Sequence, residues 1–152
     1  MNLKNKFLPY IITALLASLD LFTKFLIREN NIQENVVVEG ILTIDLTYNT
    51  GIAFGFLSDY TNTTYVVSLL VLIWLVIQIK DSQSSSLELY SFTIILGGAV
   101  GNLSERGWNL ITDNGGKVTD FIELLFIPSF NFADSLISIG ITLLLFSEFK
   151  NR

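Results

Sequence analysis

With no histidine and no cysteine among its 152 residues, this chain must do any chemistry with carboxylates, Lys, Tyr, hydroxyls and backbone. That removes thiol nucleophiles, disulfides, imidazole or thiolate metal sites, haem ligation and every Ser-His or Cys-His arrangement. Among the acids, Asp120 and Asp134 stand apart because both lie in apolar surroundings, in Val118-Thr119-Asp120-Phe121-Ile122 and Phe130-Asn131-Phe132-Ala133-Asp134-Ser135. Burial raises a carboxyl pKa, and two carboxyls in one site do not both ionise readily, so a close pair holds one proton near neutral pH. Such a dyad acts as base toward a water and as acid toward a carbonyl or leaving amine, the logic of aspartic proteases. Plainer roles stand beside this one: Asp134 as the cap of a following helix, and Asp120 as the ion-pair partner of Lys117 or Arg106. A rival from another class is a small transporter or channel component, with Asp20, Asp120 and Asp134 forming a proton or cation path.

Other polar residues lie where they could support such a site. Asp20 and Lys24 are spaced i, i+4 with the acid first, the favourable order for a helix pair, and are expected to settle a helix end at the membrane interface. Asn102 and Arg106 repeat that spacing and are expected to anchor a helix end or bond its neighbours; an Arg facing the bundle can also hold a carboxylate or a lipid phosphate. Gly97 and Gly101 form a small-xxx-small face that admits another helix closely. In Asn49-Thr50-Gly51-Ile52-Ala53-Phe54-Gly55, the glycines permit tight turns and Asn49 offers donor and acceptor to an extended backbone. Either a plain turn or a loop beside a bound peptide fits that stretch.

The elements that must carry these residues are membrane elements. Hydrophobic residues make up 51% of the chain, charged residues 15%, and the mean hydropathy is +0.56, too apolar for a soluble domain of this size. Four apolar runs are expected to cross the bilayer: Phe7 to Ile27, Tyr65 to Ile79, Leu87 to Leu103 and Ala133 to Phe149. The second is short and should extend into the Thr-rich stretch before it and Lys80 after it. Lys4 and Lys6 ahead of an apolar run with Ala14, Ala17 and Ser18 imitate a secretory signal, yet three further runs make a retained helix the simpler expectation. With four crossings, Lys4, Lys6, Lys80, Lys150 and Arg152 share the side of both termini, which marks that side as cytoplasmic. A net charge of -5 and no basic stripe argue against a nucleic-acid partner.

The two outward connections differ from the short Ser-rich inner one, Asp81 to Ser86. Val36-Val37-Val38, a Glu39-Gly40 turn, and Leu42, Ile44, Leu46 and Tyr48 alternating with polar residues predict a small antiparallel sheet on the outer membrane surface. From Ser104 to Ser129, Gly107, Gly115, Gly116 and Pro128 predict irregular backbone, with Val118 to Ile127 as a strand or an interfacial helix.

Taken together, five ordered blocks resemble the lipoprotein signal peptidases, or signal peptidase II: Asp20-Leu21-Phe22-Thr23-Lys24; Asn49 to Gly55; Gly97-Gly98-Ala99-Val100-Gly101-Asn102 leading to Arg106; Val118-Thr119-Asp120-Phe121; and Phe130 to Ser135. The resemblance implies one domain over 1–152: a mainly α membrane protein of four transmembrane helices with a small antiparallel β-cradle on the outer surface. It implies an enzyme of the bacterial cytoplasmic membrane with its site on the outer face, working as a monomer among membrane lipids. Its substrate would be a prolipoprotein signal peptide, cut just before a cysteine that carries a diacylglyceryl group, with no metal and no cofactor. Asp120 and Asp134 would be the catalytic dyad. Asn49, Gly51, Asn102, Arg106 and Asn131 would bind substrate or shape the site, and Asp20 with Lys24 would support the fold beside it. Two departures are visible: Glu105 stands where the family usually has Asp before Arg106, and the stretch from Gly107 to Lys117 is longer and more polar than usual.

Overall fold

The computed structural model describes residues 7–51, 60–82 and 86–150. In chain order these form α1 (Leu8–Glu29), β1 (Asn35–Val38), β2 (Leu42–Asn49), α2 (Thr61–Asp81), α3 (Leu87–Ile111), β3 (Val118–Leu124), β4 (Ile127–Phe130) and α4 (Phe132–Lys150). Lys4, Lys6, Arg152, the centre of the inner turn and the part of the Asn49 loop after Gly51 lie outside the described residues.

By length and composition α1, α2 and α4 are apolar enough to cross a membrane. The second run does extend at both ends, to Thr61 and Asp81. The fourth helix, α3, is long but carries small and polar residues because it packs against all three others. Ser86 caps it by accepting Leu89 N–H at 3.0 Å. Its buried Ser91 and Thr93 turn their hydroxyls back onto the carbonyls of Leu87 and Leu89, 2.8 and 2.7 Å away, so neither hydroxyl is left open.

Close helix approach rests on the glycines of α3. A Cβ on Gly97 would stand 2.8 Å from Leu16 Cβ of α1, and one on Gly101 only 2.5 Å from Asp20 Oδ2. Gly98 faces the other way, against the backbone carbonyl of Ala133 in α4. The expected small-residue face therefore meets α1, and a second one meets α4. Gly98→Ala should force α3 and α4 apart and lower stability by about 1–3 kcal/mol, the usual cost of overpacking, read as a fall in Tm in detergent.

Helix α3 corrects one expectation. It runs past Leu103 to Ile111, so Ser104 to Ile111 is helical and not irregular. Gly107 lies inside it, with space for a Cβ limited by the Tyr65 ring at 3.2 Å, so this glycine serves packing against α2 and not a turn.

The strands form one antiparallel sheet in the order β1-β2-β3-β4. Between the pairs Ile44↔Ile122 and Thr47↔Asp120, β2 advances three residues while β3 advances two. This bulge breaks the alternation expected for Leu42 to Asn49, and most of that strand is half-buried on both sides. Pro128 sits in edge strand β4, where a missing N–H costs no central ladder bond. At the far tip, Val36, Val37, Val38, Ile41, Leu125 and Phe126 are exposed, with Leu125 N–H bonded to Ile41 O at 2.8 Å. The opposite end, carrying Asn49, Val118 and Asp120, adjoins the helices.

Candidate active site

Asn131 ends β4's approach to α4 and is the natural place to begin. Its side-chain oxygen accepts Asp134 N–H at 3.0 Å, while Asp134 Oδ2 accepts Asn131 N–H at 3.1 Å. The two residues thus form a reciprocal capping box over the first turn of α4. The capping role open to Asp134 on sequence grounds is therefore real. The same Asn131 amide reaches sideways, donating to Asp120 Oδ1 at 2.7 Å, with Asn102 Oδ1 and Thr119 O also within 3.1 and 3.2 Å. One buried side chain and its own backbone N–H therefore touch both carboxyls. Asn102 completes the link from α3 by donating to Asp134 Oδ1 at 2.9 Å.

Beneath this level lies a charge cluster. Lys24 Nζ is 2.8 Å from Asp20 Oδ2, 2.6 Å from Asn102 Oδ1 and 3.3 Å from Glu105 Oε2. Asp20 and Lys24 are both 0% exposed, so the ion pair is packed inside the protein and not on its surface. The reason is geometric: Gly101 leaves room for the acid, and Asn102 and Glu105 supply the partners that make a buried ammonium tolerable. Asp20 Oδ1 also accepts Ala133 N–H at 2.8 Å, so α1 caps α4 alongside Asn131.

Arg106, also buried, spends its fork on backbone. Nη1 donates to Thr50 O at 2.8 Å and Gly116 O at 2.9 Å, and Nη2 donates to Gly51 O at 2.6 Å. It binds the two outward connections together through their backbone carbonyls. Gly116 at φ +60° is required here, because a Cβ would strike Thr61 and Leu110. Asn49 Oδ1 accepts Gly51 N–H at 2.8 Å, which turns the chain at the end of β2. Lys117, the other sequence-level partner for Asp120, instead lies 3.9 Å over the Tyr48 ring.

Asp120 lies on β3, outside the helices. Burial, and then the Asp134 charge, push its carboxyl up from 3.8 to about 6, against the pull of the Asn49 and Asn131 amides and the Lys24 charge. It is thus a carboxyl that keeps a proton well above the ordinary Asp range.

All nine residues singled out in the sequence, Asp20, Lys24, Asn49, Gly51, Asn102, Arg106, Asp120, Asn131 and Asp134, fall in one connected region joining α1, α3, α4 and the inner end of the sheet. Three others share it without having been given roles: Arg28, Glu105 and Thr119. Of these only Glu105 carried a signal, as an unusual residue beside Arg106.

Comparison with known proteins identifies the family. The family described as signal peptidase (SPase) II matches residues 12–150. The chain is 35% identical to the lipoprotein signal peptidase of Francisella tularensis subsp. novicida, over 95% of this chain and 94% of that one. It is 34% identical to that of Solibacter usitatus, over 90% and 87%. A solved bacterial membrane enzyme superposes with a TM-score of 0.82 at 28% identity, over 94% of this chain and 88% of the other. With a family match across nearly its whole length, the chain belongs to the signal peptidase II family of peptidases.

Proposed function

We propose that Asp120 and Asp134 are an aspartic catalytic dyad that hydrolyses the signal peptide of a diacylglyceryl-modified prolipoprotein, cutting before the lipidated cysteine. The observation that carries this reading is the Asn131 bridge, whose amide is 2.7 Å from Asp120 Oδ1 and whose N–H is 3.1 Å from Asp134 Oδ2. Charge supports it. Asp20, Glu105, Asp120 and Asp134 are matched by Lys24, Arg28 and Arg106, so one proton among the four carboxyls makes the cluster neutral. Asp120, pushed up to about 6 by burial and the Asp134 charge, is the natural holder.

In the reaction, Asp134, accepting two N–H donors at the first turn of α4, takes a proton from water as the hydroxyl oxygen attacks the scissile carbonyl carbon. Asp120 donates its proton to the carbonyl oxygen. Collapse of the tetrahedral intermediate breaks the C–N bond, the proton taken from water passes to the leaving amine, and Asp120 recovers its own. Asn49 and the Gly51 loop, pinned by Arg106, lie beside the peptide backbone.

The same reading makes α3 a fourth crossing, with both termini on the cytoplasmic side of the inner membrane and the dyad at the outer face. The working unit is a monomer, and the signal peptide arrives laterally from the lipid. A gel-shift assay on lipidated and unlipidated prolipoprotein tests the substrate class: only the lipidated form should be cleaved. Equal cleavage of both removes the lipid from the specificity.

A pH profile tests the proton. The general acid is lost as Asp120 ionises, so kcat/KM should decline as pH rises through about 6. Stability carries the same sign. The folded state holds this proton more tightly than an unfolded chain with the ordinary value of 3.8, so stability should fall as pH rises from there through about 6. Asp120→Asn should abolish that part of the Tm dependence.

A further inference from the structure

We propose that Arg28 and Glu105 are a positioning pair that clamps Thr119 and thereby aims the neighbouring Asp120 carboxyl. The proposal rests on the dyad reading of Asp120, and it gives a positioning task to three residues that take no part in the proposed chemical steps.

Thr119 is fully buried and held at every polar atom. Its N–H donates to Glu105 Oε2 at 3.1 Å, its hydroxyl donates to Glu105 Oε1 at 2.6 Å, and its carbonyl oxygen accepts from Asn131 Nδ2 at 3.2 Å. A carboxylate that grips both the N–H and the hydroxyl of one residue fixes that residue's backbone and its χ1 together. The next residue along β3 is Asp120, whose own carbonyl accepts from Thr47 Oγ1 at 3.2 Å. With Thr119 and the Asp120 carbonyl both fixed, little freedom is left in where the Asp120 side chain begins.

Glu105 itself needs fixing, because a glutamate has one more rotatable bond than the aspartate it resembles. Lys24 holds Oε2 from below at 3.3 Å. Arg28, from the last turn of α1, bonds Oε1 and reaches Thr119 Oγ1 at 3.0 Å through the same Nη1. The Arg28 side chain remains 35% exposed while the Glu105 side chain is 4% exposed. Arg28 therefore brings a counter-charge from the rim to a carboxylate that would otherwise have only the shared Lys24. The longer acid and the Arg at the end of α1 act as one unit: the acid reaches Thr119, and the Arg holds the acid there.

The test is steady-state cleavage by Thr119→Val, Thr119→Ser, Arg28→Gln and Glu105→Gln, with Tm measured for each. Misplacing a catalytic group by about 1 Å costs on the order of 100-fold. Thr119→Val keeps the shape, loses the hydroxyl, and should lower kcat by about 10- to 100-fold with KM unchanged. Thr119→Ser should restore most of the rate, which bulk packing at this site would not predict. Arg28→Gln, at a partly exposed position that does not threaten folding, should lower kcat, and should add little in the Glu105→Gln background because the two act together. Wild-type kcat in Thr119→Val or Arg28→Gln, a change confined to KM, or a rate loss no greater than the loss of folded enzyme overturns the clamp. Wild-type cleavage by Asp120→Asn would instead overturn the dyad reading, so the two failures are distinct.

Discussion

Asp120→Asn and Asp134→Asn should each reduce cleavage of a diacylglyceryl prolipoprotein by about 10³-fold or more, the scale of a lost acid or base in the bond-breaking step. Neither change should unfold the protein. An amide oxygen at 120 still accepts the Asn131 donor, and one at 134 still accepts Asn131 N–H and closes the capping box, with only the bond to the second oxygen, from Asn102 at 134, given up. Tm in detergent should therefore stay near wild type while the product band disappears. A folded variant of either kind that cuts at the native rate would end the dyad proposal.

Lys24→Met should produce the largest loss of stability, about 3–5 kcal/mol, the scale for stripping one partner from a buried ion pair. Methionine nearly matches the volume, so the effect isolates charge. Asp20 and Glu105 would be left buried without the ammonium, and Asn102 Oδ1 would lose its 2.6 Å donor. Activity should fall with it, because Asn102 would no longer be fixed beside Asp134. Adding Asp20→Asn to Lys24→Met should recover part of the loss by removing one of the stranded charges. The readout is thermal unfolding with resistance to an added protease. An unchanged Tm in the single variant would show that the pair contributes nothing net.

Much of this site can be read without coordinates, and particular residues show why. Asp20 and Lys24 are legible because helical spacing puts them on one face, and Gly97 and Gly101 because that spacing makes a groove. The Val36 to Asn49 hairpin is legible from its turn and its apolar alternation. Arg106 is visible as a residue but its partners are not, since three backbone carbonyls leave no mark in the amino-acid letters. Arg28 looks like any cation closing a helix, and its engagement depends on β3 arriving 91 positions later. The extension of α3 through Gly107 is hidden because glycine there serves Tyr65, whereas glycine in a polar stretch ordinarily signals a turn. The bulge in β2 is hidden for a similar reason: nothing in Leu42 to Asn49 distinguishes an inserted residue from a regular strand.

The ion pair within α1 bears on how the protein is made. Translation delivers α1 to the bilayer before α3 exists, so neither Asn102 nor Glu105 is present to receive Lys24 at that moment. Asp20 is, one helical turn away on the same segment. A helix entering the bilayer ahead of α3 would thus carry the counterion of Lys24 with it, as a neutral couple awaiting later partners. Separating those two charges onto different helices would leave the same finished enzyme with a harder birth.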